Sequence, residues 1–322
     1  KHIVHFLVED FGGNVVDLSG SMSIAPTAAP NHPLVESPSF ERVEFFSHAL
    51  VAQAKLEKPM PGIDGIRVRD SSGNEEVLPA RVQGKTLSVA VPLQARWAGG
   101  ASVQGKPFLP PSTFLAEGGG TMVSAGGVRV EFPAGSLNQP ILGIVLDRPD
   151  LNGTKQLPAG APGLMVKPEN LVADKPFAVN VAIPGSSTSA IKPSQWGFYA
   201  YHPSGGYSYA GGETQADRLV LKTRSIGPLA ILCDRLPPTV KFQGVRTIKH
   251  FGTAWVFTVQ DVGEGVEYEK TQASVDGKTV DVDDDPDHAE IYVLKPAGKG
   301  KHSVVLRVFD GAGNTRELKE QH

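Results

Sequence analysis

Five aspartates crowd into seven positions, Asp281, Asp283, Asp284, Asp285 and Asp287. Carboxylates are the hard oxygen donors that calcium takes, so a calcium site is one reading of this run. The run lacks the EF-hand spacing, with its glycine at the sixth position and glutamate at the twelfth. It lies in a strongly acidic stretch: Asp261 to Glu290 holds 11 acidic and 2 basic residues, a local charge of −9 against −3 for the whole chain. A solvated hairpin tip joining the Asp276-Gly277-Lys278 strand to Ile291-Tyr292-Val293-Leu294 accounts for the run equally well. A second cluster is aromatic. Trp196, Tyr199, Tyr201, Tyr207 and Tyr209, with Phe198, put four of the chain's six tyrosines into one hairpin. Rings exposed on one face would make a platform for a glycan. Strand alternation places Trp196, Phe198 and Ala200 on one side and Tyr199 and Tyr201 on the other, so at least half belong to a core. His2, His5 and Glu9 come nearest to a transition-metal cluster, but His2 and His5 fall on opposite faces of a strand.

Other chemistry has no motif to carry it. Gly118-Gly119-Gly120 and Gly298-Lys299-Gly300-Lys301 lack the spacing and the following helix of a phosphate loop, and read as turns. There is no Gly-x-Ser-x-Gly elbow. A Ser, His and Asp triad can be assembled in space from any distance along the chain, yet nothing favours one here. With a net charge of −3 there is no basic excess for nucleic acid. No apolar run reaches the length of a membrane span. The single cysteine, Cys233, has no internal disulfide partner and reads as a small buried hydrophobe. The expectation is a chain without catalytic residues or an obligatory cofactor, calcium being the one candidate ion.

The elements that must position these residues are strands. The 36 glycines and 26 prolines among 322 residues exceed the ordinary combined usage of about 12% and show no three-residue period. Short alternating segments recur at intervals of about ten residues with turn residues between them, the pattern of antiparallel sandwiches. Examples are Thr86-Leu87-Ser88-Val89-Ala90-Val91 and Phe177-Ala178-Val179-Asn180-Val181. No segment has a helical period. The reading is all-β, several consecutive antiparallel β-sandwich modules, divided as 1–26, 27–112, 113–234 and 235–322. The boundaries come from the proline-interrupted stretch 27–38, the glycine- and proline-rich 98–112, and Pro237-Pro238.

A repeat sets the first boundary. Lys1, His2, Val4, Val8, Asp10, Gly13 and Asn14 recur as Lys301, His302, Val304, Val308, Asp310, Gly313 and Asn314, at a constant offset of 300. An alternating strand runs into a turn in which the aspartate can bond the backbone ahead of it and Gly and Asn accept positive φ. The C-terminal copy closes a sandwich that opens some 65 residues earlier at Pro237-Pro238. The N-terminal copy, residues 1–26, is therefore expected to be the last hairpin of an incomplete immunoglobulin-like module, either because the sequence is a fragment or because it pairs with another segment or molecule.

The order of the modules resembles the non-catalytic C-terminal β-domains of bacterial LytM or lysostaphin-type zinc peptidase proteins of the cell envelope. Pro237-Pro238, Asp261-Val262-Gly263-Glu264-Gly265-Val266, Asp276-Gly277-Lys278 and Asp310-Gly311-Ala312-Gly313-Asn314 match the turn signatures of that family's immunoglobulin-like module. Residues 118–232 are similar to ZU-type β-domains through Gly126-Gly127-Val128-Arg129-Val130-Glu131-Phe132-Pro133-Ala134-Gly135-Ser136-Leu137 and Lys175 to Pro184. The resemblance implies a ZU-like module at 113–234, a complete immunoglobulin-like one at 235–322, and a location in the cell envelope. It also implies partners in an upstream domain of the same parent, cell-wall glycan or another envelope protein. The family's peptidase site, His-x-x-x-Asp with a distant His-x-His, has no counterpart among the nine histidines. The resemblance thus implies a spacer or interaction segment beside a peptidase, with a calcium- or glycan-binding module as the alternative.

Overall fold

Alternation of apolar and polar residues over six to eleven positions puts one face of each strand against a core and leaves the other to water. The computed structural model describes residues 2–9, 15–22, 39–46, 49–58, 62–63, 65–169, 171–183, 191–298 and 300–322, the first two segments and residues 39 and 41 by their backbone alone. Among them there is no α-helix, only strands and four short 3₁₀ turns, and every sheet is antiparallel. Among the described residues no helix is long and apolar enough to cross a membrane. The chain divides into two compact units, Lys1–Glu44 with His48–Ser112, and Phe45–Ser47 with Thr113–His322.

In the first unit His2–Glu9 pairs with Val15–Met22 as a two-stranded sheet. Its register repeats at the offset seen in the sequence: Val8 faces Val16 and Glu9 faces Val15, as Val308 faces Arg316 and Phe309 faces Thr315. The turn 10–14 and the linker 27–38 lie outside the described residues, as does the contact surface of His2, His5 and Glu9. The rest of the unit is one seven-stranded sheet in the order Ser39–Phe45, Ala49–Lys55, Thr86–Pro92, Glu75–Gln83, Gly65–Asp70, Ala101–Val103, Lys106–Leu109. Glu75–Gln83 pairs with one neighbour through its first half and the other through its second. The sheet curls far enough to bring the Phe40 and Phe108 rings, from its two outermost strands, to 4.6 Å. One curled sheet thereby encloses Leu50, Val68, Leu78, Leu87 and Val89, none more than 2% exposed.

The second unit holds two sandwiches. In the first, a six-stranded sheet runs Thr113–Leu115, Ile141–Arg148, Ala159–Lys167, Leu229–Cys233, Trp196–His202, Gly206–Gly211. It packs on a five-stranded sheet ordered Gly120–Val123, Arg129–Phe132, Val172–Ala182, Arg218–Ser225, Glu213–Gln215. Met122, Val130, Val179 and Leu219 from the second sheet meet Val145, Leu164, Phe198 and Ile231 from the first. The last sandwich pairs Thr239–Ile248, Gly252–Gln260, Glu290–Leu294, Val282–Asp285 with Lys278–Val280, Gln272–Val275, Ser303–Phe309, Thr315–Gln321. Its core is Trp255, Phe257 and Ile291 against Ala273, Leu306 and Val308. At about 25 cal/mol per Å² of apolar surface, such interdigitated faces supply the main driving force for folding.

Candidate metal centre

Three loops meet where the two C-terminal sandwiches join. Leu229–Cys233 ends the first sandwich and Asp234 follows it directly. Thr239 pairs with Gln260, so the entry to the last sandwich lies beside the 261–267 loop. The 310–314 turn arrives at the same end, because Gly311 N–H donates to Gly265 O at 3.0 Å. The outcome is that one carboxylate oxygen each from Asp234, Asp261 and Asp310 lies within 4.8 Å of the other two. Asp234 and Asp310 are essentially fully buried.

Each carboxylate also organises its own loop. Asp261 Oδ2 accepts the N–H groups of Gly263 (2.8 Å) and Gly265 (3.0 Å). Asp310 Oδ1 accepts the Asn314 N–H at 2.7 Å, and its Oδ2 accepts Asn314 Nδ2 at 2.9 Å. Asp234 bridges the modules, taking Leu236 N–H on Oδ1 and Glu264 N–H on Oδ2, both at 3.1 Å. Carboxylate oxygens carry two lone pairs apiece, so these bonds leave acceptor capacity over. Gly263 makes the approach feasible: a Cβ there would sit 1.9 Å from Asp234 Oδ2. Gly265 and Gly313, at φ +86° and +80°, hold the left-handed positions that the two turns require.

The electrostatics are unbalanced. Among the described residues no lysine, arginine or histidine pairs with any of the three aspartates. Burial, reinforced by the charges of Asp234 and Asp261, pushes the Asp310 carboxyl up to about 6. Burial also raises Asp234, with Asp261 adding to it. Glu264, next to Asp234, is pushed up to about 7 by burial and then by its three aspartate neighbours. A divalent cation would remove this repulsion. Calcium–oxygen distances near 2.4 Å let ligand oxygens stand up to about 5 Å apart around one ion, so the spacing and the all-oxygen donor set fit calcium.

The acidic run behaves otherwise. Asp283, Asp284 and Asp285 lie on the strand Val282–Asp285, which sends Asp284 to the face opposite its two neighbours. Asp285 caps the next turn, accepting the His288 N–H at 3.3 Å and facing His288 Nδ1 at 2.8 Å. Asp281, Asp283, Asp284, Asp285 and Asp287 are therefore not gathered around one point, and they are not a hairpin tip following Lys278–Val280 either: Val282–Asp285 is an edge strand paired with Glu290–Leu294, in the sheet opposite Lys278–Val280. The aromatic hairpin alternates as expected, but its outer face is not open. Trp196 and Phe198 enter the sandwich core. Tyr199, with Tyr201 and Tyr207, packs on Leu151, Leu157, Ala230 and Leu232 beneath the 148–158 loop. Tyr207 Oη accepts the Gly153 N–H at 3.2 Å. Only Tyr209 remains substantially exposed, at 37%, so no flat sugar platform forms. Cys233 is buried, in keeping with its reading as a small hydrophobe, and burial pushes its thiol up to about 11.

The aspartates that do converge were legible as turn signatures, Asp261-x-Gly-x-Gly and Asp310-x-x-Gly-Asn, but not as a ligand set. The available signal was that both turns follow strands ending on the side where Pro237-Pro238 enters, next to Asp234. No family model matches the chain, and no curated protein matches it either.

Proposed function

We propose that the chain is a non-catalytic connecting and interaction segment of a bacterial cell-envelope protein, in which a calcium ion fixes the joint between the two C-terminal sandwiches. The envelope setting, accessory to a LytM-type peptidase domain, is supported by the order of turn signatures described above. The joint rests on one observation: three carboxylate oxygens within 4.8 Å, two of the residues buried, and no cationic side chain paired with them among the described residues. Asp234 belongs to the connection, Asp261 and Asp310 to two loops of the last sandwich. An ion held by all three ties the linker to both loops.

Direct bonds supplement it. Asn314 Nδ2 donates to Asp234 O at 3.2 Å, Gln195 Nε2 donates to Asn314 Oδ1 at 2.7 Å, and Ser194 Oγ donates to Ala312 O at 3.0 Å. A joint with these contacts transmits position from one module to the next, which is what a spacer needs.

The test is titration of the full chain with calcium chloride by calorimetry, magnesium chloride serving as comparison. One calcium site is expected, absent in Asp310→Asn, with a stabilisation of about 2.7 kcal/mol at a hundredfold excess over Kd. Absence of both heat and stabilisation overturns the calcium joint. Cleavage of peptidoglycan peptides by the purified chain with added zinc overturns the non-catalytic reading.

A further inference from the structure

Beside the aspartates, a groove of about 360 Å³ opens between the two C-terminal sandwiches. Its walls include Trp196, Tyr209 and Glu213 from one sandwich and Glu264, Glu267 and Gly311 from the other. The volume falls in the range of sites for small ligands, about 300–1,000 Å³. Three carboxylates line it and no basic residue does. Glu267 is shared with Lys270 in an ion pair of 3.3 Å between two exposed side chains. Glu264 is different. Its Oε1 is buried and has no hydrogen-bond partner, and Tyr209 lines the same groove beside it.

The backbone is shaped around this carboxylate. Cβ atoms at Gly197 and Gly311 would stand 3.2 Å from Glu264 Oε1 and 3.3 Å from Oε2 respectively. Glycine at both places leaves room for the carboxylate and no side chain over it. A half-buried carboxylate without a cation, next to an aromatic ring that stays 37% exposed, is the arrangement that favours an incoming positive charge: the carboxylate supplies the counter-ion and the ring's negative face a second attraction. A guanidinium needs two coplanar acceptor oxygens, whereas an ammonium is a compact point charge and needs only one accessible oxygen.

We propose that this groove binds an alkylammonium group, as carried by a lysine side chain or a free diamine, with Glu264 as its counter-ion and the Tyr209 ring against its stem. The site goes beyond the calcium joint, since its ligand is organic and its residues are other ones. It also gives the aromatic hairpin a recognition role through one ring rather than a platform.

The test uses the full chain with calcium present, followed by NMR of the Trp196 indole and the Gly212 and Gly311 amides and by calorimetry. The probes are Nα-acetyl-lysine methylamide, its Nε-acetylated form, and cadaverine. Both amines are expected to shift the groove signals, Nε-acetylation to abolish the effect, and Glu264→Gln to weaken binding at least tenfold. Glu213→Gln, on an exposed strand, is expected to weaken it about threefold and serves should Glu264→Gln disturb folding. Binding of the lysine derivative alone identifies a peptide ligand and binding of cadaverine alone a free amine, each supporting the proposal. No shift with either amine, or equal binding of the acetylated probe, overturns it.

Discussion

Asp310 gives a stability signature whose sign is unusual for a carboxylate. In the metal-free protein its carboxyl is pushed up to about 6 from 3.8, mainly by burial. The folded state therefore holds the proton more tightly than the unfolded state, and stability is lost as pH rises from about 4 to above 6. A displacement that large corresponds to about 3 kcal/mol. Glu264, raised to about 7 from 4.5, acts in the same direction over a window reaching about 7.5. Because the Asp310 charge is part of what raises Glu264, the two contributions do not simply add, and the total stays nearer 3 than 6 kcal/mol. The carboxylates held low, among them Asp70, Asp150 and Asp285, change protonation below about pH 4 and are silent in this window. His288, raised by Asp285, also loses stability with rising pH, but it is untouched by a change at Asp310. The experiment is urea unfolding followed by tryptophan fluorescence, in chelator, between pH 5 and 8, on the parent chain and Asp310→Asn. The parent should lose about 2 kcal/mol across the window, because part of the Asp310 loss is already complete at pH 5, whereas the variant should be distinctly flatter. At pH 5 the variant should be less stable by about 1–2 kcal/mol, since the amide's single oxygen can accept the Asn314 N–H but its NH2 group cannot accept Asn314 Nδ2 as the second carboxyl oxygen does. Calcium should abolish the parent's slope above pH 6 and leave the variant unchanged. A parent whose stability is level or rises from pH 5 to 8 in chelator refutes the reasoning.

Further outcomes follow from the same geometry. Gly263→Ala places a Cβ 1.9 Å from Asp234 Oδ2 and should cost about 2–3 kcal/mol and weaken calcium binding at least tenfold, read by urea midpoints and calorimetry. Asn314→Ala removes bonds to Asp234, Asp310 and Gln195 and should cost about 2–3 kcal/mol; NMR relaxation should then show the two C-terminal sandwiches tumbling with greater independence. Tyr199→Phe removes a buried hydroxyl that has no partner, so its urea midpoint should match or slightly exceed the parent's, by up to about 1 kcal/mol. Cys233, buried and with its thiol pushed up to about 11, should resist iodoacetamide at pH 8 until urea unfolds the chain.

What the sequence makes legible here is local. Strand alternation predicts that Phe198 and Tyr199 face opposite ways, and they do, because the two-residue period is a property of the backbone. The repeat at an offset of 300 predicts two alike hairpins, and the registers of His2–Glu9 with Val15–Met22 and of Ser303–Phe309 with Thr315–Gln321 agree pair for pair at that offset. What lies beyond one hairpin is not legible. The covering of Tyr199 by Leu151 and Leu157 depends on a loop some 45 residues earlier in the chain. The acidic run attracted a calcium reading through density of charge, yet density along a strand divides its side chains between two faces. Asp234, Asp261 and Asp310 are dispersed over 77 positions, and they converge because strand pairing brings three loop ends to one side of a sandwich. Turn signatures such as Asp-x-Gly-x-Gly report that a backbone bends and that an aspartate caps the bend. When two such bends share an end of a sandwich, their caps must share its dielectric, and buried carboxylates brought that close require either protons or a cation. The pH slope in chelator and its disappearance in calcium decide which of the two this joint uses.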